Sequence, residues 1–226
     1  MLGPKGLLSL TLLTTLITIC TAVLVTCPTD GLATIEDLVE CFEEYTVPRD
    51  YYTCATYTTA QPRAVPNELA AWGDAITHLL NANSTCALPP SSPISTSYGV
   101  FQFTDNKTKD EFCVLHKKNA VNSPIHGPRY EKGWGLFITP AKSSPSIRRL
   151  HFSAPHPVFE QRTAVQAASI FKMTDSKSLL IEGRHRHVLS SGVCSQSCQG
   201  AQYHRTDGAH DNVRQFYAPH LHLCVN

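Results

Sequence analysis

Residues 147–183 read IRRLHFSAPHPVFEQRTAVQAASIFKMTDSKSLLIEG. IRRLHFSAP has the make-up of a strand running into a loop, TAVQAASIFKM that of a helix, and SLLIEG that of a second strand. This order is a βαβ unit, in which two parallel strands are joined by a helical crossover. Functional loops in such units gather at the carboxyl ends of the strands. The loops APHPVFEQRT (154–163) and GRHRHV (183–188) are therefore where a site is expected.

Upstream, Tyr98 to Phe103 and Glu111 to His116 alternate with β-favouring residues around the polar DNKTKD, which predicts a hairpin, and Gly133 to Thr139 is a third strand candidate. In ATIEDLVECFEEY, Ile35, Leu38 and Phe42 are three and four residues apart and share one face of an amphipathic helix. A second helix is predicted in PNELAAWGDAITHLLNAN, opened by Pro66 and Asn67, with Leu69, Trp72, Ile76 and Leu79/Leu80 at helical spacing. The Pro/Ser-rich ALPPSSPIS connects this helical region to the strands. The expected fold is α/β: a mixed sheet with a βαβ unit in the C-terminal half and a helical, disulfide-pinned N-terminal segment.

Three stretches follow: a signal peptide at 1–26, a helical cysteine-containing segment at 27–95, and an α/β domain at 96–226 carrying the histidine-rich site. Lys5 precedes the uncharged run Gly6 to Val25, in the order basic region, apolar core, small residues, with cleavage expected near Ala22 to Thr26. The same run, residues 6–25, is long enough for an uncleaved membrane anchor, the alternative reading. Either way the remainder faces a non-cytosolic compartment, and no membrane span is expected once the leader is removed.

Outside the leader stand Cys27, Cys41, Cys54, Cys86, Cys113, Cys194, Cys198 and Cys224, an even set whose pairing the sequence leaves open. Cys194-Ser-Gln-Ser-Cys198 reads as a small disulfide-linked loop and not as a redox C-x-x-C. Asn83-Ser-Thr and Asn106-Lys-Thr are glycosylation sequons. Without Lys5 the basic and acidic residues balance, and no Lys/Arg stripe is present to neutralise phosphates, so nucleic acid is not an expected partner.

Eight of the eleven histidines lie from His151 to His222. Imidazoles beside carboxylates suit zinc or a similar divalent metal, with three protein ligands and one open position in catalytic sites. His156 sits on a loop because Pro155 and Pro157 flank it, with Glu160 four residues on as a second ligand or as the base that deprotonates water. A solvated loop histidine is the alternative. In Gly183-Arg-His-Arg-His187, His185 is a candidate ligand, and Arg184 or Arg186 a candidate fork for a substrate carboxylate or phosphate. A basic surface patch and a phosphohistidine are the alternatives there. Asp207 and His210 complete the candidate ligand set, unless Asp207-Gly208 is simple turn chemistry. Ser153 lacks a G-x-S-x-G elbow, and His220 and His222 lie in the tail.

HFSAPHPVFEQRTAVQAASIF (151–171), SLLIEGRHRH (178–187) and TDGAHDN (206–212) resemble a poorly characterised group of secreted fungal and bacterial proteins. Their pattern is a P-H-P loop, a Thr opening a helix, a G-x-H-R turn and a D-x-A-H segment, covering about residues 98 to 217 here. The resemblance implies a common fold. It also implies a longer C-terminal part than one ending at Asn226, which a truncated or shifted reading frame would explain. More distantly, Pro155-His156 is similar to the P-H loop of zinc amidohydrolases acting on N-formylglutamate or poly-γ-glutamate. The function expected from these residues is a secreted metal-dependent hydrolase of an amide or peptide-like bond in a small or peptide-like anionic substrate. In it His156, His185, Asp207 and His210 are the ligands, Glu160 activates water, and Arg184 and Arg186 bind substrate. The rival is a non-enzymatic, disulfide-stabilised interaction protein.

Overall fold

A computed structural model describes residues 24–25, 27, 30–60, 67–81, 85–142, 147–189, 194–198 and 201–203. Its frame is a five-stranded sheet of order β2-β3-β6-β8-β7. The predicted hairpin is there as β2 (Tyr98–Thr104) and β3 (Glu111–Lys117), in unbroken antiparallel register from Tyr98↔Lys117 to Thr104↔Glu111. β6 (Leu136–Pro140) lies antiparallel to β3 on one side and to β8 (Ser176–Ile181) on the other. β7 (Arg148–Ala154) runs parallel to β8, and α4 (Thr163–Met173) connects them, which is the βαβ unit predicted from residues 147–183.

Alternation along the strands decides which side each residue faces. Phe112, Val114, Leu136, Ile138, Leu179 and Ile181 share a core with α1 (Ile35–Glu43) and α4, whereas Cys113, Leu115, Phe137 and Leu180 share one with α3 (Glu68–Asn81). The sheet is thus buried on both faces, as its parallel pair requires. α1 starts at Thr34, whose hydroxyl accepts from Asp37 N–H (3.2 Å) while the Asp37 carboxylate accepts from Thr34 N–H (2.9 Å), a capping box.

Disulfides pin the N-terminal helical segment. Cys27–Cys41 fastens α1, and Cys86–Cys113 ties the chain after α3 to β3. Asp105 adds a polar lock. Fully buried, it accepts from Ile35 N–H and from Lys172 Nζ (2.9 Å), and Lys172 also reaches Glu36 (2.6 Å), so α1, α4 and the β2–β3 turn meet on three charges.

Several features were not legible in the sequence. α2 (Cys54–Thr59) is short, and β4 (Asn119–Ser123) with β5 (Gly127–Tyr130) forms a second hairpin, against which β1 (Leu24–Val25) pairs. The third strand begins at Leu136 and not at Gly133. Gly135 has φ +88°, and a Cβ there would overlap the Ile181 carbonyl oxygen, so Gly133 to Gly135 cross the end of β8 before the strand starts. Cys194–Cys198 is strand β9, paired with β10 (Ala201–Tyr203), and not a small loop.

Among the described residues no helix is long and apolar enough to cross a membrane. The expected leader lies outside them apart from Leu24–Val25, and so do Asn83, His204, Asp207, His210, His220 and His222. Asn106 is described and lies exposed on the β2–β3 turn.

Candidate functional site

The carboxyl ends of β7 and β8 lie side by side, joined by the hydrogen bond from Glu182 N–H to Ala154 O (3.1 Å). After β7 the chain enters the proline-flanked loop 155–162, where His156 O accepts from Glu160 N–H before α4 begins. After β8 it enters the GRHRH segment, held from the side by residues 47–52. There Val47 N–H donates to Gly183 O, His185 N–H to Val47 O, Asp50 N–H to His187 O and Tyr52 N–H to Val188 O, all at 2.8–2.9 Å. Two loops far apart in sequence are thereby brought face to face.

Phe159 is the meeting point. Its ring centroid lies 5.1 Å from that of His187, 5.4 Å from His185 and 6.4 Å from His156, and the Arg186 guanidinium stands 5.5 Å from the same ring. His156 and His185 are buried, whereas Glu160 and Phe159 are partly open to solvent. The loop reaches this shape through strain. Val158, a β-branched residue, has φ +65° and Arg162 has φ +64°, conformations that cost of order 1–3 kcal/mol and persist only where the surroundings enforce them. Part of that enforcement comes from α1, where the Glu43 carboxylate accepts from Val158 N–H (3.0 Å). Burial raises the pKa of Glu43, partly offset by that hydrogen bond.

The histidines differ in the proton they carry. His156 Nδ1 lies 3.2 Å from Glu160 Oε1, so facing a carboxylate it is the donor, and in the neutral ring Nε2 carries no proton. His185 Nδ1 accepts from the backbone N–H of His187 (2.9 Å), which leaves the proton of the neutral ring on Nε2. Burial lowers the pKa of His185, with His187 and Arg49 adding to the effect and Asp50 opposing it.

The predicted residues therefore separate. His156, Glu160, His185 and Arg186 come together, joined by His187. Arg184 does not join them. Its side chain is fully buried, with Nη2 donating to Ala60 O (2.8 Å) and the guanidinium 5.0 and 5.5 Å from the rings of Tyr57 and Tyr52. The reason is local: the isolated bridge to Val47 fixes Arg184 inward, and the turn at Arg186–His187 swings the next arginine away. Of the two arginines, Arg186 is the one that stands beside the histidine cluster. His151 stays in the strand body with Nδ1 2.6 Å from Ser178 Oγ, and burial, with Lys177 nearby, lowers its pKa. Ser153 is exposed on β7.

Glu182 escaped the sequence reading. It is a buried carboxylate directly after β8, 1% exposed, and its backbone N–H donates to Ala154 O at the end of β7. The available signal was an acid straight after the apolar run Leu179-Leu180-Ile181. A cleft of about 460 Å³ lies elsewhere, lined by residues including Tyr51, Thr56, Val121 and Lys132, and none of the histidines of the cluster borders it.

Zinc fits the described donors in part. A metal-bound histidine usually gives its other ring N–H to a carboxylate, the arrangement of His156 with Glu160. His185 does not fit, since Nδ1 is occupied as an acceptor and ligation through Nε2 would turn an Nδ1 proton against His187 N–H. Among the described residues no three His, Cys, Asp or Glu side chains are grouped to hold a metal. No protein-family model, no curated protein and no solved structure matches the chain.

Proposed function

We propose that this chain is a secreted hydrolase cleaving an amide or peptide-like bond of an anionic substrate at the ends of β7 and β8. One observation carries the reading: an imidazole oriented by a carboxylate, His156 with Glu160, beside a second buried imidazole and an arginine on a strained loop. Glu160 holds His156 in the tautomer whose Nε2 is free of a proton, so its role is orientation and not the removal of a proton from water. His156 then serves as a ligand, with Asp207 and His210 as further candidates, or as the base itself. A bound zinc would supply a water ionised near pH ~7. Arg186 offers a planar fork to the anionic group of the substrate. Secretion is supported by the signal-like leader and by the disulfides Cys27–Cys41 and Cys86–Cys113.

The test is elemental analysis of the secreted protein and of His156→Ala after weakly held ions are removed, with a screen against N-acyl amino acids and γ-glutamyl peptides. About one equivalent of zinc lost in the variant, together with hydrolysis abolished by it, is the expected outcome. Retained metal and unchanged hydrolysis in His156→Ala would overturn the assignment. The exposed apolar pair Val158 and Phe159 favours the second reading, a binding module that docks a partner on this loop. It becomes the better account if no metal and no hydrolysis are found.

A further inference from the structure

We propose that His185 is a neutral hydrogen-bond donor to the substrate's carbonyl oxygen and not a metal ligand. This rests on the hydrolase reading above and assigns within it a role that the sequence pattern does not suggest. The carrying observation is the opposite wiring of the two buried imidazoles. His156 gives its Nδ1 proton to Glu160, while His185 receives the His187 N–H on Nδ1.

The backbone amide of His187 is a donor in every protonation state, so it selects one tautomer of His185, with Nε2–H presented away from the main chain. The backbone on either side of that amide is fixed, because His187 O accepts from Asp50 N–H and His185 N–H donates to Val47 O. The ring is clamped between backbone bonds on both sides and packs edge-on against Phe159. A donor held in place before the substrate arrives is the requirement for stabilising charge that develops on an oxygen, since it need not reorganise during the reaction. Neutral imidazole can fill that role. The donor forms a hydrogen bond only, and no proton leaves Nε2.

The groups facing His185 are His187 and Phe159 on adjoining turns, Arg49 and Asp50 from the 47–52 segment, and His156 from the loop after β7. Arg49 is turned to Asp50 (3.2 Å). The Glu160 carboxylate is bonded to His156. Burial, His187, Arg49 and His156 favour the neutral ring, and Asp50 opposes them.

Long-range proton–nitrogen NMR on imidazole-labelled protein reads the tautomers directly. The expected spectrum at pH 7.5 gives His185 as the Nε2–H form and His156 as the Nδ1–H form. Adding zinc alone moves the His156 nitrogen and leaves His185 in place. His185 in the Nδ1–H form, or shifted as a zinc ligand, overturns the proposal. If zinc moves neither ring, the metal part of the proposed function fails while the tautomer result still decides this one. In the hydrolysis screen His185→Gln, which keeps a donor near the position of Nε2, retains at least ten times the kcat of His185→Ala. Equal loss in both variants, with KM unchanged, counts against a donor role.

Discussion

Acidifying the protein from pH 7 to pH 4 will cost up to about 3 kcal/mol of stability through one side chain, His116. It lies between α1 and the hairpin, its ring 5.5 Å from Phe42 and 4.9 Å from Phe101, with Nδ1–H donating to Lys117 O (3.0 Å). Burial, helped by the charge of Lys118 and opposed by the Lys117 carbonyl, lowers its pKa from 6.5 to about 4. A histidine that binds protons less readily folded than unfolded makes stability fall with pH. Its contribution is complete above about 6.5 and is lost progressively as pH drops from 6.5 towards 4. At about 1.4 kcal/mol per pH unit, that gap gives the magnitude stated. The assay is urea denaturation at pH 7 and at pH 4 on the wild type and on His116→Phe, which keeps an aromatic ring between Phe42 and Phe101. The difference in stability between the two pH values should be smaller in the variant by 2–3 kcal/mol, whatever the variant does at pH 7. Equal acid sensitivity in the two proteins would falsify the assignment of this loss to His116.

Two further substitutions probe buried charges by denaturation at pH 7. Arg184→Met should stay within about 1 kcal/mol of wild type, because a hydrophobe of similar volume replaces a desolvated cation and Ala60 O keeps its bond from Trp134 Nε1; Arg184→Ala, which opens a cavity, should cost about 3 kcal/mol or more. Equal losses would show that the guanidinium contributes through its charge and not its bulk. Lys172→Met should cost about 3 kcal/mol by leaving Asp105 buried with backbone donors alone. The burial that opposes ionisation of Asp105 is outweighed by Lys172 and those donors, so its pKa lies below the ordinary 3.8 and its contribution is lost only as pH falls below about 4. A variant with wild-type stability at pH 7 contradicts that account.

Local chemistry determined the parts of this protein that neighbours in sequence can decide. Period-two alternation placed β2 and β3, period 3.6 placed α1 and α3, and the order strand, helix, strand in residues 147–183 implied α4 and the parallel pair β7–β8. The same rules put His156 on a loop and Arg186 at a strand end. Tertiary contacts decided the rest. β6 lies between β3 and β8, α1 and α3 cover opposite faces, and residues 47–52 run beside 183–189, because burying both faces of the sheet is a demand no single segment expresses. Arg184 and Arg186 share a parity that in a strand would give them one environment. A backbone bridge to Val47 and the turn after it give them two, and whether an imidazole donates or accepts depended on an amide two residues away.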